Sequence, residues 1–171
     1  MRFQSLICEK SLAIMAKMAK DSPAGDFIEV GVFKGGSADI LYEVSESQNR
    51  TLWLYDTFKG IPFKDEIDLI AMGQFSEGLS YEDARKSFPK AKIQEGIFPK
   101  QSLLPKQIAF VHLDVDQYQS YREGLDKLLP LIVPGGSVLC DDYGLPGAKK
   151  AIDETQWEKR LLEDGRMLFQ C

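Results

Sequence analysis

Histidine and cysteine are scarce in this sequence of 171 residues, which contains one histidine and three cysteines. Cys8, Cys140 and Cys171 lie far apart and outside any CxxC pattern. An odd number of widely separated cysteines argues against a disulfide framework and against a zinc knuckle. We therefore expect three free thiols and a fold that is stabilised by its hydrophobic core alone.

Long hydrophobic runs are also missing. The longest uninterrupted apolar stretch has about five residues, whereas a membrane-spanning helix needs about 20. The N-terminal segment 1–20 is too interrupted by charged residues to act as a secretory signal. These absences predict no membrane partner and a cytoplasmic location.

An excess of positive charge is absent as well, because 21 lysines and arginines face 26 aspartates and glutamates, for a formal net charge of −5. Nucleic acid is therefore not expected as a ligand. The composition, with 44% hydrophobic and 27% charged residues, is that of a globular protein. A chain of this length can bury about 70% of its unfolded surface around one core, so we expect a single domain over residues 1–171.

Short, continuously apolar segments alternate along the chain with segments of helical periodicity. Predicted strands cover residues 27–30, 51–56, 92–98, 108–114 and 137–142. Predicted helices cover residues 5–20, a stretch that begins near 37, and residues 80–88, 120–129 and 148–163. Ser80 and Ser120 are the expected N-cap residues of the third and fourth helices. Apolar strands separated by helices indicate an α/β fold with a parallel sheet covered on both faces.

Residues 57–79 fit neither the helical nor the strand period. Loops of this length in a compact domain are usually functional or disordered. The segment carries too much apolar surface for plain disorder, from Phe63, Ile67, Leu69, Ile70, Met72 and Phe75. We therefore predict a lid loop that covers a ligand.

Three glycines, Gly31, Gly35 and Gly36, stand between the first strand and the second helix. Glycine permits a positive φ and lets the backbone approach a ligand at the positively polarised start of a helix. The spacing is not GxGxxG, which makes a pyrophosphate-binding dinucleotide fold less favoured. Asp56 lies 20 residues after Gly36, at the end of the second strand, where an acid accepts hydrogen bonds from ribose hydroxyls. The glycine turn alone could be purely structural, but with Asp56 it indicates an adenosine-containing ligand.

Acidic residues follow the fourth and fifth strands, namely Asp114 and Asp116 after the fourth and Asp141 and Asp142 after the fifth. Strand alternation would point His112, Asp114 and Asp116 the same way, if the strand persists that far. An uncompensated buried carboxylate costs several kcal/mol, so such a group needs a cation, a basic partner or water. The alternative is that these acids lie on solvated loops. For His112 we favour a buried strand histidine, bonded within the core, over a ligand contact.

A resemblance to a known family rests on four motifs in the right order between about residues 25 and 155. They are Glu29–Ser37, Tyr55–Pro62, His112–Tyr118 and the stretch from Pro134–Gly136 through Asp141–Gly144. These segments resemble the macrocin O-methyltransferase family, whose members use S-adenosylmethionine and magnesium to methylate hydroxyls of sugars. The resemblance implies a Rossmann-like class I methyltransferase fold, with five parallel strands in the order 3-2-1-4-5 and ligands at their carboxyl ends.

The resemblance also implies roles for individual residues. The S-adenosylmethionine site would comprise Glu29, Gly31, Gly35, Gly36, Ser37, Asp56, Thr57 and Asp114. A Mg²⁺ ion would be held by Asp114, Asp141 and Asp142, and Asp116 would be the general base. The chemistry agrees, because magnesium prefers oxygen ligands and a sugar hydroxyl is a poor nucleophile until its proton is removed.

The expected function is therefore metal-dependent methyl transfer from S-adenosylmethionine to a hydroxyl of a sugar or glycosylated small molecule. Two alternatives stay open: a truncated module that binds the cofactor without turnover, and an NAD-type oxidoreductase, which the glycine spacing disfavours.

The C-terminal edge of the sheet departs from the family pattern, in which two further strands follow the fifth. Only residues 167–170 are left to extend the sheet, so we expect a reduced edge, completion by a partner subunit, or a fragment. An unpaired apolar edge strand is a liability in solution. This predicts a homodimer.

Overall fold

A computed structural model describes residues 2–100 and 102–171 of the chain, and a single sheet connects its elements. The strands are β1 Asp26–Val30, β2 Leu52–Asp56, β3 Lys92–Glu95, β4 Ile108–Leu113, β5 Ile132–Cys140, β6 Lys159–Leu161 and β7 Met167–Gln170. The helices are α1 Glu9–Asp21, α2 Gly36–Ser47, α3 Tyr81–Ser87, α4 Tyr118–Leu128 and α5 Pro146–Asp153, with a 3₁₀ turn at Leu129–Leu131.

The sheet has seven strands in the order β3-β2-β1-β4-β5-β7-β6. The first five are parallel, which confirms the predicted 3-2-1-4-5 order, and β7 runs antiparallel to both β5 and β6. The chain leaves β1 in one direction towards β2 and returns on the other side as β4. Such a reversal opens a crevice at the carboxyl ends of the strands.

Two apolar cores lie on opposite faces of this sheet, as expected for strands that are apolar on both sides. On one face α1, α2 and α3 pack against the sheet through buried side chains such as Leu12, Met15, Leu41 and Phe88. On the other face α4 and α5 do so through residues that include Tyr121, Leu125, Leu128 and Ile152. The helices therefore hold the strands from both sides and leave their carboxyl ends open.

Two N-cap residues were predicted from the sequence, and the structure agrees with one of them. Ser80 caps α3 as predicted, because its hydroxyl accepts a hydrogen bond from the Asp83 N–H at 3.1 Å. Ser120 does not cap α4, which begins at Tyr118. The Tyr118 N–H donates instead to the carboxylate of Asp68, at 2.8 Å. The cap thus comes from a residue 50 positions away, which no local pattern indicates.

The C-terminal part differs from the prediction. The last helix ends at Asp153 rather than at 163, and residues 159–161 form β6 instead. β6 pairs with β7, so Met167, Leu168 and Phe169 are buried between two strands, and the sheet gains two strands after the fifth rather than one. The unpaired edge that motivated a homodimer is therefore covered within the chain. The short outer strand carries Lys159 and Arg160, side chains that discourage further strand pairing.

Residues 57–79 contain neither helix nor strand, but they are folded back on themselves. The Ile61 N–H donates to the Gln74 carbonyl and the Gly73 N–H donates to the Ile61 carbonyl, both at 2.9 Å. The predicted loop is therefore compact. No helix within residues 2–100 or 102–171 has both the length and the apolar character needed to cross a bilayer.

The segments that follow β1 and β4 approach each other closely at Gly31, and this approach can be tested. Its φ is +90°, and a Cβ there would overlap the backbone oxygen of Asp114. We expect Gly31→Ala to destabilise the fold by about 2 kcal/mol or more, which lowers the Tm by about 4–8 °C. Thermal unfolding measures this, with Gly144→Ala as the control because its Cβ would meet open space. Equal Tm values for the two variants would contradict this close approach of the two segments.

Candidate active site

One cleft opens at the carboxyl ends of β1, β2, β4 and β5, where the topology predicts a ligand site. It is lined by the glycine turn, the strand-end acids, the lid loop and the N-terminal segment 4–7. The predicted site residues that line it are Gly31, Gly36, Ser37, Asp56, Thr57, Asp114, Asp116, Asp141 and Asp142. Glu29 and Gly35 are outside this lining.

Asp56 holds two loops of the cleft together. One carboxylate oxygen, Oδ2, accepts hydrogen bonds from the N–H groups of Val32 at 2.6 Å and Phe33 at 3.1 Å. The other, Oδ1, accepts from the Phe58 N–H at 2.7 Å. Phe33 and Phe58 both have positive φ values, 46° and 52°, a conformation that nonglycine residues adopt only when their surroundings impose it. Asp56 thus shapes the glycine turn, and its Oδ1, which accepts only one of these bonds, keeps a lone pair for a further donor.

The glycines of the turn serve different contacts. Gly35 caps α2 in the left-handed conformation, with φ +83°, and its free side faces Leu79 rather than the cleft. Gly36 leaves room for the N-terminal segment, because a Cβ there would come within 2.6 Å of the Gln4 carbonyl oxygen. Only part of the glycine pattern therefore concerns a ligand in the cleft.

The N-terminal segment was not predicted as part of the site. Arg2 fixes it to the buried Asp39 of α2, with Nε donating to Oδ1 and the backbone N–H to Oδ2, each at 2.7 Å. Phe3 packs against Phe88, with ring centroids 5.6 Å apart. Residues 4–7 then line the cleft. The sequence does contain a signal for this contact. Asp39 falls among the apolar residues of a helix, and a buried carboxylate needs a partner.

The acids at the ends of β4 and β5 do converge. Asp114, Asp141 and Asp142 each present one oxygen within 4.8 Å of the others. Loss of solvent contact and the charges of Asp142 and Asp141 raise the pKa of Asp114 well above its usual value. A set of three carboxylates suits a hard cation such as Mg²⁺, which prefers oxygen ligands. The residues therefore fit a metal site.

Asp142 also orders the loop that carries Asp116. Its Oδ2 accepts hydrogen bonds from the N–H groups of Val115 at 3.1 Å and Asp116 at 2.9 Å, and it lies 2.8 Å from the Tyr121 hydroxyl. Asp116 has a φ of +60°, and β4 ends at Leu113, so strand alternation stops before these acids. The shared direction of Asp114 and Asp116 that we derived from an extended strand is therefore not the reason that both reach the cleft.

Asp116 has the titration of a base that works near neutral pH. Burial, together with the negative charges of Asp142, Asp141 and Asp68, raises its pKa to about 7. Proton transfer is most efficient when the pKa of the base is close to the working pH. Asp116 lines the cleft and can therefore accept a proton there.

His112 and Glu29 form a buried pair beneath the acids. They are partners on neighbouring strands, and His112 Nδ1 lies 3.0 Å from Glu29 Oε1. Burial lowers the pKa of His112, but the nearby Asp141 carboxylate and the hydrogen bond to, and charge of, Glu29 outweigh it and raise this pKa to about 10. His112 is thus the buried strand histidine that we favoured. Glu29, which we expected at the cofactor, has its side chain directed towards His112 in the interior of the fold.

Arg166 is a second cation behind the acids, and sequence reasoning missed it. It lies just before β7, is 3% exposed, and places one guanidinium nitrogen 3.7 Å from Asp141 Oδ1. His112 Nε2 lies 3.7 Å from the same oxygen. Each of these cations also has a nearer carboxylate partner, Asp164 at 2.6 Å for Arg166 and Glu29 at 3.0 Å for His112, so they offset the charge of Asp141 only in part.

Comparison with solved structures defines the class of protein. The O-methyltransferase NovP matches 97% of this chain and 81% of its own, with a TM-score of 0.82 and 26% sequence identity. CalS11, the calicheamicin methyltransferase, matches 94% of this chain and 77% of its own, with a TM-score of 0.72 at 19% identity. The fold is that of class I methyltransferases. The family model of macrocin-O-methyltransferase (TylF) matches residues 8–168, and the chain belongs to this family.

Three curated relatives are O-methyltransferases by name, and the name of one includes a rhamnosyl group. Demethyldecarbamoylnovobiocin O-methyltransferase of Streptomyces niveus is 30% identical over 152 residues, which cover 76% of this chain and 57% of that protein. A rhamnosyl-tetracenomycin-C 4'-O-methyltransferase of Streptomyces olivaceus is 26% identical over 157 residues, which cover 78% and 59%. Mycinamicin III 3''-O-methyltransferase of Micromonospora griseorubida is 24% identical, with 79% and 61% covered. The chain spans about three fifths of the length of these relatives.

The raised pKa of Asp116 predicts a pH-dependent stability of the metal-free protein. An acid whose pKa is higher in the folded state destabilises that state above the folded pKa and has no such effect below the unfolded value of about 3.9. Asp116→Asn should therefore raise the Tm over wild type at pH 8, and this gain should shrink as the pH falls through 7 towards 5. Thermal melts in chelator measure it, with the exposed Glu163→Gln as control. A gain that is the same at pH 5 and pH 8 would contradict the assigned shift.

Proposed function

We propose that this protein transfers a methyl group from S-adenosylmethionine to a hydroxyl of a sugar or glycosylated small molecule, with the help of a bound Mg²⁺ ion. The observation that carries the proposal is the convergence of three strand-end carboxylates and Asp116 in the same cleft as the glycine turn. Family membership and the rhamnosyl group in the name of one relative support the substrate class.

The cofactor would lie along the glycine turn. Gly31 lines the cleft after β1, and Gly36 and Ser37 line it at the start of α2, where free N–H groups favour a carboxylate such as that of a methionine moiety. Asp56 and Thr57 line it at the end of β2, where an acid can accept hydrogen bonds from ribose hydroxyls. Glu29 and Gly35 contribute indirectly, through the His112 pair and the cap of α2.

Asp114, Asp141 and Asp142 would hold the metal. A divalent cation bound there supplies Lewis acidity, which lowers the pKa of an acceptor hydroxyl. Asp142 keeps one oxygen engaged with the Val115 and Asp116 amides, and Asp141 keeps one towards His112 and Arg166. These contacts would orient the second oxygens of Asp141 and Asp142.

Asp116 would act as the general base. Its carboxylate takes the proton of the acceptor hydroxyl as the oxygen forms a bond to the methyl carbon and the sulfur–methyl bond breaks. The charge balances, because a sulfonium and a carboxylate become a neutral thioether and a carboxylic acid. A pKa of about 7 leaves Asp116 substantially ionised at neutral pH and basic enough to receive the proton.

The lid loop would exclude water from the cleft. Gly60, Ile61, Pro62 and Phe75 belong to this loop and line the same cleft as the acids. The Phe75 ring packs edge-on against Phe33 of the glycine turn, with ring centroids 5.2 Å apart. Apolar walls of this kind lower the local dielectric and strengthen electrostatic contacts inside the site.

Two experiments distinguish the proposed function from its alternatives. Calorimetry with S-adenosylhomocysteine and with NADH distinguishes a methyltransferase from an NAD-type oxidoreductase. Assay of methyl transfer against a panel of glycosides distinguishes an active enzyme from a module that binds the cofactor without turnover.

The metal site predicts a magnesium-dependent stability. Mg²⁺ should raise the Tm of wild type, because a ligand that binds only the folded state stabilises it in proportion to the logarithm of its concentration. Asp114→Ala, Asp141→Ala and Asp142→Ala should lose most of this shift. Asp141→Ala and Asp142→Ala should also keep their affinity for S-adenosylhomocysteine, whereas Asp114 is expected at the cofactor as well. Melting temperature against magnesium concentration measures it. Absence of a shift in wild type, or a full shift in Asp114→Ala, would show that the metal site is wrong.

The base predicts a separate effect on turnover. Asp116→Asn should bind Mg²⁺ and S-adenosylhomocysteine as wild type does, but its kcat should fall by about 10²–10⁴, the usual contribution of a positioned base. The rise of kcat/KM with pH near 7 should disappear in this variant. Steady-state kinetics between pH 5.5 and 9 provide the test. Wild-type kcat in Asp116→Asn would rule out this residue as the base.

A further inference from the structure

Asp68 is a buried carboxylate in the middle of the lid loop, and the chemistry above does not use it. Only 3% of the surface of Asp68 is exposed to solvent. Oδ2 accepts a hydrogen bond from the Asp65 N–H at 2.9 Å, within the loop itself. Oδ1 accepts from the Tyr118 N–H at 2.8 Å, outside the loop. A single side chain thus connects the lid loop to the first residue of α4.

Gly147 makes room for this carboxylate. It is the second residue of α5, and a Cβ at this position would overlap Asp68 Oδ1 and come within 3.0 Å of the Tyr118 nitrogen. The carboxylate therefore lies between the first turns of α4 and α5. Unpaired N–H groups and the positive ends of helix dipoles favour a negative charge at such a position.

The contact at Tyr118 is close to the proposed base. Tyr118 lies two residues after Asp116, and the backbone of Asp116 is held by Asp142. Asp68 and Asp142 thus fix the two ends of the same short turn, one from the lid loop and the other from the segment after β5. The lid loop and Asp116 line the same cleft.

The ends of the lid loop are held separately from its middle. At one end the Thr57 hydroxyl donates to the Gly60 carbonyl at 2.7 Å. At the other end the Leu79 N–H donates to the Phe33 carbonyl at 2.7 Å. Release of Asp68 would therefore free the middle of the loop while both ends stay in place, which is the arrangement of a hinged flap.

We propose that Asp68 is the latch of the lid loop: its contact with Tyr118 and the space at Gly147 hold the loop closed over the cleft and hold the turn that carries Asp116 in place. Asp68 is a positioning residue, because it acts through Tyr118 and touches no reacting atom. The proposal rests on the proposed function only for the role of Asp116 and the nature of the ligand.

The closed loop can be tested without any ligand, by hydrogen exchange measured with mass spectrometry. Asp68→Ala should speed exchange of the hydrogen-bonded amides between residues 61 and 74 by about ten- to a hundredfold, since a hydrogen bond to a buried charged group contributes that much to a local closing equilibrium. The matched control is Glu66→Ala, which removes an exposed carboxylate from the same loop. Unchanged exchange in Asp68→Ala would overturn the latch.

A double-mutant cycle identifies the partner. Gly147→Ala should speed exchange in the lid loop almost as much as Asp68→Ala, although alanine is the better helix former, because the new Cβ displaces the carboxylate. In the Asp68→Ala background the same substitution should add little, since both act on one contact. Fully additive effects, or wild-type exchange in Gly147→Ala, would contradict the proposed seat between α4 and α5.

Kinetics distinguish positioning from general loosening of the fold. Asp68→Ala and Gly147→Ala should lower kcat by about tenfold or more and leave the Kd for Mg²⁺ within about twofold, because the metal ligands belong to strand ends. Asp68→Asn, which keeps an oxygen acceptor for the Tyr118 N–H, should recover part of the loss. Wild-type kcat in both variants would overturn the coupling to Asp116. If wild type transfers no methyl group, the proposed function fails and the coupling to a base fails with it, but the exchange result still decides whether the latch exists.

Discussion

Crowding of like charges at the ends of β4 and β5 is the constraint on which the rest of the site depends. Asp114, Asp116, Asp141 and Asp142 lie together, and burial and neighbouring carboxylates raise the pKa values of Asp114, Asp116 and Asp142. The surrounding structure compensates for this repulsion in several ways. Backbone amides approach Asp142, cations approach Asp141 from behind, and the cleft side of the cluster is left for a metal.

Carboxylates also hold the loops around the cleft in place. Asp56 joins the glycine turn to the start of the lid loop, Asp142 orders the turn before α4, and Asp68 closes the same turn from the lid side. Each accepts backbone N–H groups from segments that are distant in sequence. Hydrogen bonds to a charged acceptor are stronger than neutral ones, so a few of them can hold loops that bury little apolar surface.

Sequence reasoning predicted those parts of the molecule that local patterns determine. Continuous apolar strands followed by acids were enough to derive the parallel sheet and the convergence at its carboxyl ends. The errors lie where the determining partner is remote. The start of α4 receives its cap from Asp68, and β6 is a three-residue strand whose formation depends on pairing with β7. Neither periodicity nor capping rules contain such partners.

The C-terminal hairpin illustrates why such remote partners matter for function. By pairing β7 beside β5 it brings Arg166 under Asp141, and the guanidinium also donates to the Ser11 carbonyl of α1 at 2.7 Å. Both compensating cations, Arg166 and His112, therefore approach the acids from inside the fold. The negative charge of the cluster is offset on its inner side and remains on the side that faces the cleft. A site with that asymmetry attracts cations, which under the proposed function include both the metal and the sulfonium of the methyl donor.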